Sequence, residues 1–356
     1  MSSALPRLPE IALESKVAFL RQPMSFPDRP YRIEAIETHM SWVFLTEKYA
    51  YKLKKPVCQE ALDFRSIDAR RHYCDEEIRL NRRLAADVYL GIVAMSINSS
   101  GHLRLCEDGT SVEGEAIVDW LVQMRRLPAE HMLDYALKTR RVSDEDIGRV
   151  AARLALFYRG CGPACSSASA YRAVIRHGID RSQQVLARPG YGLPGGLIRQ
   201  LCSTQRRVLN QHRDVLDARV RAGRIVEGHG DLRPEHVCLQ PEIAVIDCLE
   251  FSSALRIVDP IDELGYLALE CERLGSAHAG ALLLKAYGAF SGDQPDALLV
   301  HFYQAYRALL RARLAIAHLD EEKFRHSEEW HRRAMSYLRL AEQAQNALNA
   351  ETEPPV

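Results

Sequence analysis

The sequence predicts an α+β protein with two unequal lobes. A small antiparallel β-sheet with one long helix occupies residues 1–124, and a mainly α-helical lobe occupies 125–356. Three observations carry this expectation. Short stretches of period-2 alternation crowd the first third of the chain, one long amphipathic segment interrupts them, and from Ala129 onward apolar residues recur at helical spacing.

Residues 10–22 read as a short amphipathic helix, and 31–38, 41–46 and 49–55 follow as three consecutive strands. In the third strand, YAYKLKK, Lys52 and Lys54 share one face while Tyr51 and Leu53 share the other. That lysine face either reaches a ligand or is solvated. The turn Glu37-Thr38-His39-Met40-Ser41 contains no glycine. Its amides and the Thr38 or Ser41 hydroxyls can touch a phosphate, and an ordinary hairpin accounts for the same residues. Residues 66–85 read as the long helix, with Ser66 or Asp68 as cap and Ile78, Leu80 and Leu84 in its apolar stripe. Glu77 lies three and seven residues before Leu80 and Leu84 and shares their inward face, with Glu76 as the alternative. Arg70, Arg71, Arg79, Arg82 and Arg83 mark a charged surface on the same helix. Strands at 92–97 and 116–124, separated by turns at Gly101 and Asp108-Gly109, complete a five-stranded sheet. Beyond it, Ser143-Asp144-Glu145-Asp146 caps a helix through Tyr158, and two helices flank the Pro- and Gly-rich turn 189–196. Residues 259–275, 277–290, 295–318 and 322–348 read as four more helices.

Composition excludes some classes of function. Lysine plus arginine equals aspartate plus glutamate at 47 each, so no net field draws the chain to nucleic acid or to an anionic membrane. Nine cysteines, an odd number without CxxC spacing, fit a reducing compartment. Cys161 and Cys165 form the one close pair and fall two ligands short of a structural zinc. Charges interrupt every apolar stretch of MSSALPRLPEIALESKVAFLRQPMSF, no signal-peptide core is expected, and no run approaches a membrane span. The expected location is cytoplasmic.

Chemistry concentrates in residues 229–251, HGDLRPEHVCLQPEIAVIDCLEF. Asp231 sits in a Gly-Asp turn from which a carboxylate can act on a hydroxyl as general base or orienting group. Arg233 follows and can counter phosphate charge. After the Pro241-Glu242 turn, Asp247 ends the apolar run 243–246, which reads as a buried strand, at whose end a carboxylate can hold magnesium. A carboxylate at a hydroxyl, a cation at phosphates and a metal-holding carboxylate are what phosphoryl transfer needs.

The segment resembles the aminoglycoside phosphotransferase-like kinases, whose HGDxxxxN catalytic loop precedes a metal-binding aspartate. His229, Gly230 and Asp231 match the loop, Asp247 matches the aspartate, and Asp259-Pro260-Ile261-Asp262-Glu263-Leu264 is similar to the family's DPxxDLA segment. More narrowly, the chain is similar to the branch in which HGDLRPEH and IDCLEF replace the usual forms. Some members of that branch carry a following P-loop domain, which is expected to be absent here because there is no GxxxxGK[ST]. The resemblance implies a two-lobed protein-kinase-like fold and ATP-dependent transfer of the γ-phosphoryl group to a hydroxyl of a small molecule, with ATP and Mg2+, or Mn2+, as cofactors. It assigns Asp231 as base with Arg233 beside it, Asp247 as metal ligand, and Lys52, with Lys54 as fallback, to the nucleotide phosphates. Glu77 would orient that lysine and Ser41 would approach the phosphates. The hinge at 123–127, including Gln123, Met124 and Arg125, would meet the adenine edge through its backbone. Asp262 is expected to steady the catalytic loop.

Where the family has a metal-binding asparagine this chain has His236, either a softer ligand or a residue hydrogen-bonding the catalytic loop. Only eleven residues separate Asp247 from Asp259 and no APE follows, which favours a small-molecule acceptor over a protein. Glu250, Asp262, Glu263, Glu270 and Glu272 suggest a site for a cationic acceptor. Tyr303, Arg307 and Arg311, at i, i+4 and i+8, suggest an acidic or phosphorylated one, or a solvated face. The alternative reading of the whole chain is a nucleotide-binding regulatory pseudokinase, drawn from His236 and the absent glycine loop.

Overall fold

Alternating side chains from Glu34 onward build one antiparallel sheet. The computed structural model describes residues 11–59, 62–106, 114–165 and 167–352. Its contacts form two compact units, residues 1–129 with 244–253, and residues 130–243 with 254–356.

The first unit contains, in chain order, α1 (Leu13–Leu20), β1 (Glu34–Glu37), β2 (Ser41–Leu45), β3 (Tyr49–Lys54), the two-residue strands β4 (Cys58–Gln59) and β5 (Leu62–Asp63), α2 (Ile67–Ala85), β6 (Tyr89–Ile97), β7 (Leu103–Cys106) and β8 (Ala116–Arg125). The main sheet runs β1-β2-β3-β8-β6-β7, antiparallel throughout. It has six strands where the sequence suggested five. The extra strand, β7, pairs with Ala94–Ile97 of β6 and is too short for its alternation to stand out. The expected Asp108-Gly109 turn lies outside the described residues.

One face of the sheet packs Phe44, Tyr51, Leu53 and Leu121 with Val17 and Leu20 of α1, and the other packs Ala50, Trp120 and Val122 with Cys74 and Ile78 of α2. Each fully buried large apolar side chain of this kind contributes roughly 1.5–3 kcal/mol. Ser66 caps α2, its hydroxyl accepting from the Ala69 amide at 3.1 Å, and Arg82 and Arg83 sit in the last turn where cations complement the helix dipole.

Asp119 of β8 lies 2.7 Å from Lys16 of α1 and 2.7 Å from Arg70 of α2, all three buried. Asp119→Ala would leave two buried cations without their carboxylate. It is expected to cost about 3–5 kcal/mol, read as a lowered denaturation midpoint.

The second unit is helical: α3 (Leu133–Lys138), α4 (Asp144–Gly160), α5 (Ala168–Leu186), α6 (Gly195–Gln211), α7 (Arg213–Arg221), α8 (Pro260–Arg273), α9 (Ala277–Ser291), α10 (Ala297–Ala317) and α11 (Glu328–Thr352). A capping box of Ser143 and Asp146 starts α4 as its sequence indicates. α11 begins at Glu328 and not near 322, because His318–Asp320 and Glu322–Phe324 take 3-10 turns first. α10 packs against α11, α8 and α5, and α8 is buried from Pro260 to Cys271. The expected solvated stripe on α10 is in fact internal. Tyr303 and Arg307 are buried, and the Arg307 fork takes both Asp262 oxygens at 2.6 Å. Arg219 of α7 likewise holds Asp259 and Asp293. The cysteines are all free thiols, and among the described residues no helix is long and apolar enough to cross a membrane.

Candidate functional site

In the first unit, β3 alternation turns Ala50, Lys52 and Lys54 toward α2. Lys52 Nζ stands 2.8 Å from Glu77 Oε1 and 2.8 Å from Asp247 Oδ1. Lys54 Nζ stands 2.6 Å from Glu77 Oε2 and also pairs with Glu250. The result is an unbroken row of alternating charges, Glu250, Lys54, Glu77, Lys52 and Asp247. Glu76, the alternative to Glu77, faces outward and pairs with Arg79 at 2.8 Å. The two lysines are thus not a solvated face. Lys54 is fully enclosed, whereas Lys52 lies beside the Asp247 side chain, which is 46 % exposed. Burial alone would lower the pKa of both lysines, but the adjoining carboxylates outweigh it and hold both above the ordinary value. Glu77 is pushed up by burial and pulled down further by Lys52 and Lys54, ending below its ordinary value.

Asp247 adopts a left-handed backbone, φ +62°, uncommon for a residue with a Cβ and frequent at functional positions. Three contacts keep it there. Its amide donates to Tyr89 Oη at 3.1 Å, the Cys248 amide donates to Asn81 Oδ1 at 2.9 Å, and Glu250 is tied to Lys54. Among the described residues no group of three or more His, Cys, Asp or Glu is placed to hold a metal. A single half-exposed carboxylate suits Mg2+ bound together with nucleotide phosphates, because that ion is usually held by one or two carboxylates plus phosphate oxygens.

Two nucleotide-site expectations meet a different geometry. Gln123 and Met124 are still inside β8, paired with Tyr51 and Ala50 of β3 and with Gly91 and Tyr89 of β6. The amides of Arg125 and Arg126 donate to the Val88 and Lys48 carbonyls at 2.8 Å each. The sheet therefore takes up the backbone of Gln123 and Met124 and the amides of Arg125 and Arg126, since β8 and its neighbours pair further along than the apolar run suggested. Ser41 is buried at the start of β2, its amide and carbonyl bonded to the Thr38 hydroxyl in an ordinary hairpin turn. It does not reach outward as a phosphate contact.

In the second unit, the loop bearing Asp231 is fastened from beneath by Glu263 of α8. That carboxylate accepts from the His229 amide at 3.0 Å, from the Gly230 amide, and from Tyr158 Oη at 2.6 Å. Two glycines permit this. Gly230 has φ +92°, and at Gly228 a Cβ would stand 2.5 Å from Glu263 Oε2. The anchoring role expected of Asp262 thus falls to its neighbour, while Asp262 pairs with Arg307 and Asp259 caps α8 through the Ile261 amide. Counting DPxxD from Asp259 lands on Glu263, a signal the sequence did carry.

His236 closes the loop as a hydrogen-bonding residue. Nδ1 faces the Asp231 carbonyl at 2.9 Å and Nε2 faces Arg233 Nη2 at 3.0 Å. A carbonyl only accepts and a guanidinium only donates, so these partners assign the hydrogen to Nδ1 and spend the Nε2 lone pair on Arg233. Both ring nitrogens are engaged. His236→Ala is expected to lower turnover by loosening the loop while leaving the ratio of Mg2+- to Mn2+-supported rates unchanged. A shifted ratio would restore the ligand role.

Arg233 is not free to meet a phosphate either. Its Nε lies 2.9 Å from Asp231 Oδ2, Nη1 lies 2.6 Å from Glu235 Oε1, and Nη2 is on His236. Arg311 Nη1 approaches the other Asp231 oxygen at 3.7 Å. Burial raises the Asp231 pKa, but the neighbouring Arg233, His236, Arg311 and His229, Arg233 foremost, outweigh it and leave the carboxyl below its ordinary value. A depressed folded pKa means that the stabilisation from these pairs is present above the unfolded value and lost as pH falls through the folded one. Asp231 therefore stays ionised, and Lys52 protonated, across the neutral range. A pH–rate profile is expected to show no limb from either group between about pH 6 and 9. A limb there that moves in Asp231→Glu would contradict this.

The acids nominated for a cationic acceptor are largely occupied. Glu250 is on Lys54, Asp262 on Arg307, Glu263 on the loop, and Glu270 on Arg273 and Tyr337.

No family model matches this sequence. Uncharacterised proteins of Mycobacterium tuberculosis and Mycobacterium bovis are 31 % identical over 299 residues, 83 % of this chain, and the chain spans 57 % of their length. Among solved structures, a choline/ethanolamine kinase family protein from Mesorhizobium loti covers 95 % of this chain and 98 % of its own at TM-score 0.54 and 15 % identity. Choline kinase from Cryptosporidium parvum covers 95 % and 97 % at 0.55 and 9 %, and an ethanolamine kinase from Plasmodium vivax covers 89 % and 84 % at 0.51 and 8 %. The fold is that of the choline-kinase-like, protein-kinase-like proteins, an α+β chain with a small antiparallel sheet and a mainly helical lobe.

Proposed function

We propose that this chain is an ATP-dependent phosphotransferase of the aminoglycoside phosphotransferase-like class, in the branch marked by HGDLRPEH and IDCLEF, that phosphorylates a hydroxyl of a small molecule. The observation that most supports this is the Lys52 ammonium, 2.8 Å from both Glu77 and Asp247. Such a lysine, fixed by a helix glutamate, suits the α and β phosphates of a nucleotide. Asp247 is the residue that would hold Mg2+, which supplies charge neutralisation on the phosphates when bound with ATP. Asp231 accepts the hydrogen bond of the acceptor hydroxyl and aims its oxygen at the γ-phosphorus. As the new O–P bond forms and the bond to the ADP oxygen breaks, the hydroxyl proton passes to Asp231. Its depressed pKa makes Asp231 chiefly an orienting group, taking the proton late, as suits a loose transition state. The names of the structural neighbours, kinases of choline and ethanolamine, agree with a small-molecule acceptor.

A second reading, a regulatory nucleotide-binding pseudokinase, draws on the Arg233 guanidinium seated on Asp231. Measuring metal-dependent ATP binding alongside loss of γ-phosphate in the presence of a metabolite extract separates the two. Binding with turnover supports the enzyme, and binding without turnover supports the pseudokinase.

A further inference from the structure

We propose that the acceptor carries an anionic group, a carboxylate or a phosphate, which binds to arginines of the helical unit next to Asp231; this rests on the phosphotransferase reading above. Three observations converge. The first is the charge around the base. Arg233 and Arg311 flank Asp231 at 2.9 and 3.7 Å, so a cationic acceptor would have to approach between two guanidinium groups. The acids that might have offset them are spent on Arg307, on the loop amides and on Arg273.

The second is a pair of buried donors with nothing to donate to. Arg311 Nε and Tyr266 Oη have no hydrogen-bond partner among the described residues, and the Arg311 guanidinium carbon lies 5.8 Å from the Tyr266 ring centre. Buried donors left open are costly unless something supplies lone pairs. An anion does so, and an ammonium group does not.

The third is room. A cavity of about 430 Å³ is lined by Arg273, Arg332 and Arg333, with Glu235 and Glu329 among the acids on its wall. Glu235 lies 2.6 Å from Arg233, which also stands on Asp231, so one guanidinium bridges the cavity wall and the base. Arg332 and Arg333 have no ion-pair partner among the described residues. Arg273 and Arg311 lie 5.6 and 5.9 Å from the ring centre of Tyr337, so the cavity cations and the cation at the base share one aromatic support. An acceptor with its hydroxyl at Asp231 and an anionic group at Arg311 supplies lone pairs to the open donors, and the cavity adds Arg332 and Arg333 as cations for a longer anionic group.

The test uses the full chain with γ-labelled ATP, Mg2+ and a metabolite extract split by ion exchange into cationic, neutral and anionic pools. The expected result is label entering a compound from the anionic pool. With that compound purified, its KM should rise about tenfold or more in Arg311→Gln and in Arg333→Gln while the KM for ATP holds. Arg333→Gln lies at the cavity wall and keeps the test open should Arg311→Gln misfold. A product from the cationic or neutral pool would overturn the inference and leave the kinase reading standing. An anionic product whose KM neither variant moves would overturn the arginine assignment. No label in any pool would overturn the kinase reading itself, and this inference with it.

Discussion

Replacing Lys52 with methionine is expected to lower nucleotide turnover at least about a hundredfold, in line with removal of one preorganised charge from a phosphoryl-transfer site. The protein should stay folded. Glu77 keeps Lys54 on its other oxygen at 2.6 Å, and Asp247, half-exposed, regains water when its partner leaves. Lys54→Met should behave in the opposite way. Glu250, largely buried, loses its cation, and the denaturation midpoint should fall more than it does in Lys52→Met. Steady-state kinetics and a denaturant titration on both variants separate the roles. A folded Lys54→Met without turnover beside an active Lys52→Met would move the nucleotide lysine to Lys54.

Glu263→Ala is expected to damage stability and catalysis together. It strips the His229 and Gly230 amides and the Tyr158 hydroxyl of their common acceptor, three buried donors at about 1–3 kcal/mol each. The loop carrying Asp231 would lose its support, so kcat should drop even at temperatures where the variant remains folded. Glu263→Gln is the milder control, since one amide oxygen can still accept from part of the set. Wild-type kcat in a folded Glu263→Ala would show that the loop holds without its anchor.

The readable and unreadable parts of this chain differ by the range of the forces involved. A local period, two residues on a strand and 3.6 on a helix, placed Lys52 and Lys54 on one face and Glu77 inward, while the choice of Lys52 over Lys54 came from the family resemblance; the structure pairs Glu77 with both. The same parity placed Lys54 beside Lys52. Nothing local, however, announces that its second partner, Glu250, comes from 196 residues away. The sixth strand was missed because four residues carry too little alternation. The backbone of Gln123 and Met124 is taken up by the sheet because strand pairing, and not the apolar run, decides where β8 stops. His236 offers a subtler case. Pro234–His236 forms a 3-10 turn, which brings residue 233 alongside 236, so the Arg233 contact was available from the Arg-Pro-Glu-His spelling. Ligand chemistry alone could not decide it.

The central claim is that Asp231 orients an acceptor hydroxyl for attack on the γ-phosphate of ATP. The most direct measurement is transfer of labelled γ-phosphate into a host-cell metabolite extract by wild type and by Asp231→Asn, with Mg2+ and with Mn2+. The account predicts a labelled small-molecule product from wild type and none from Asp231→Asn, with ATP binding retained in both. Equal product from the two proteins, or none from wild type while it binds ATP with metal, would contradict it.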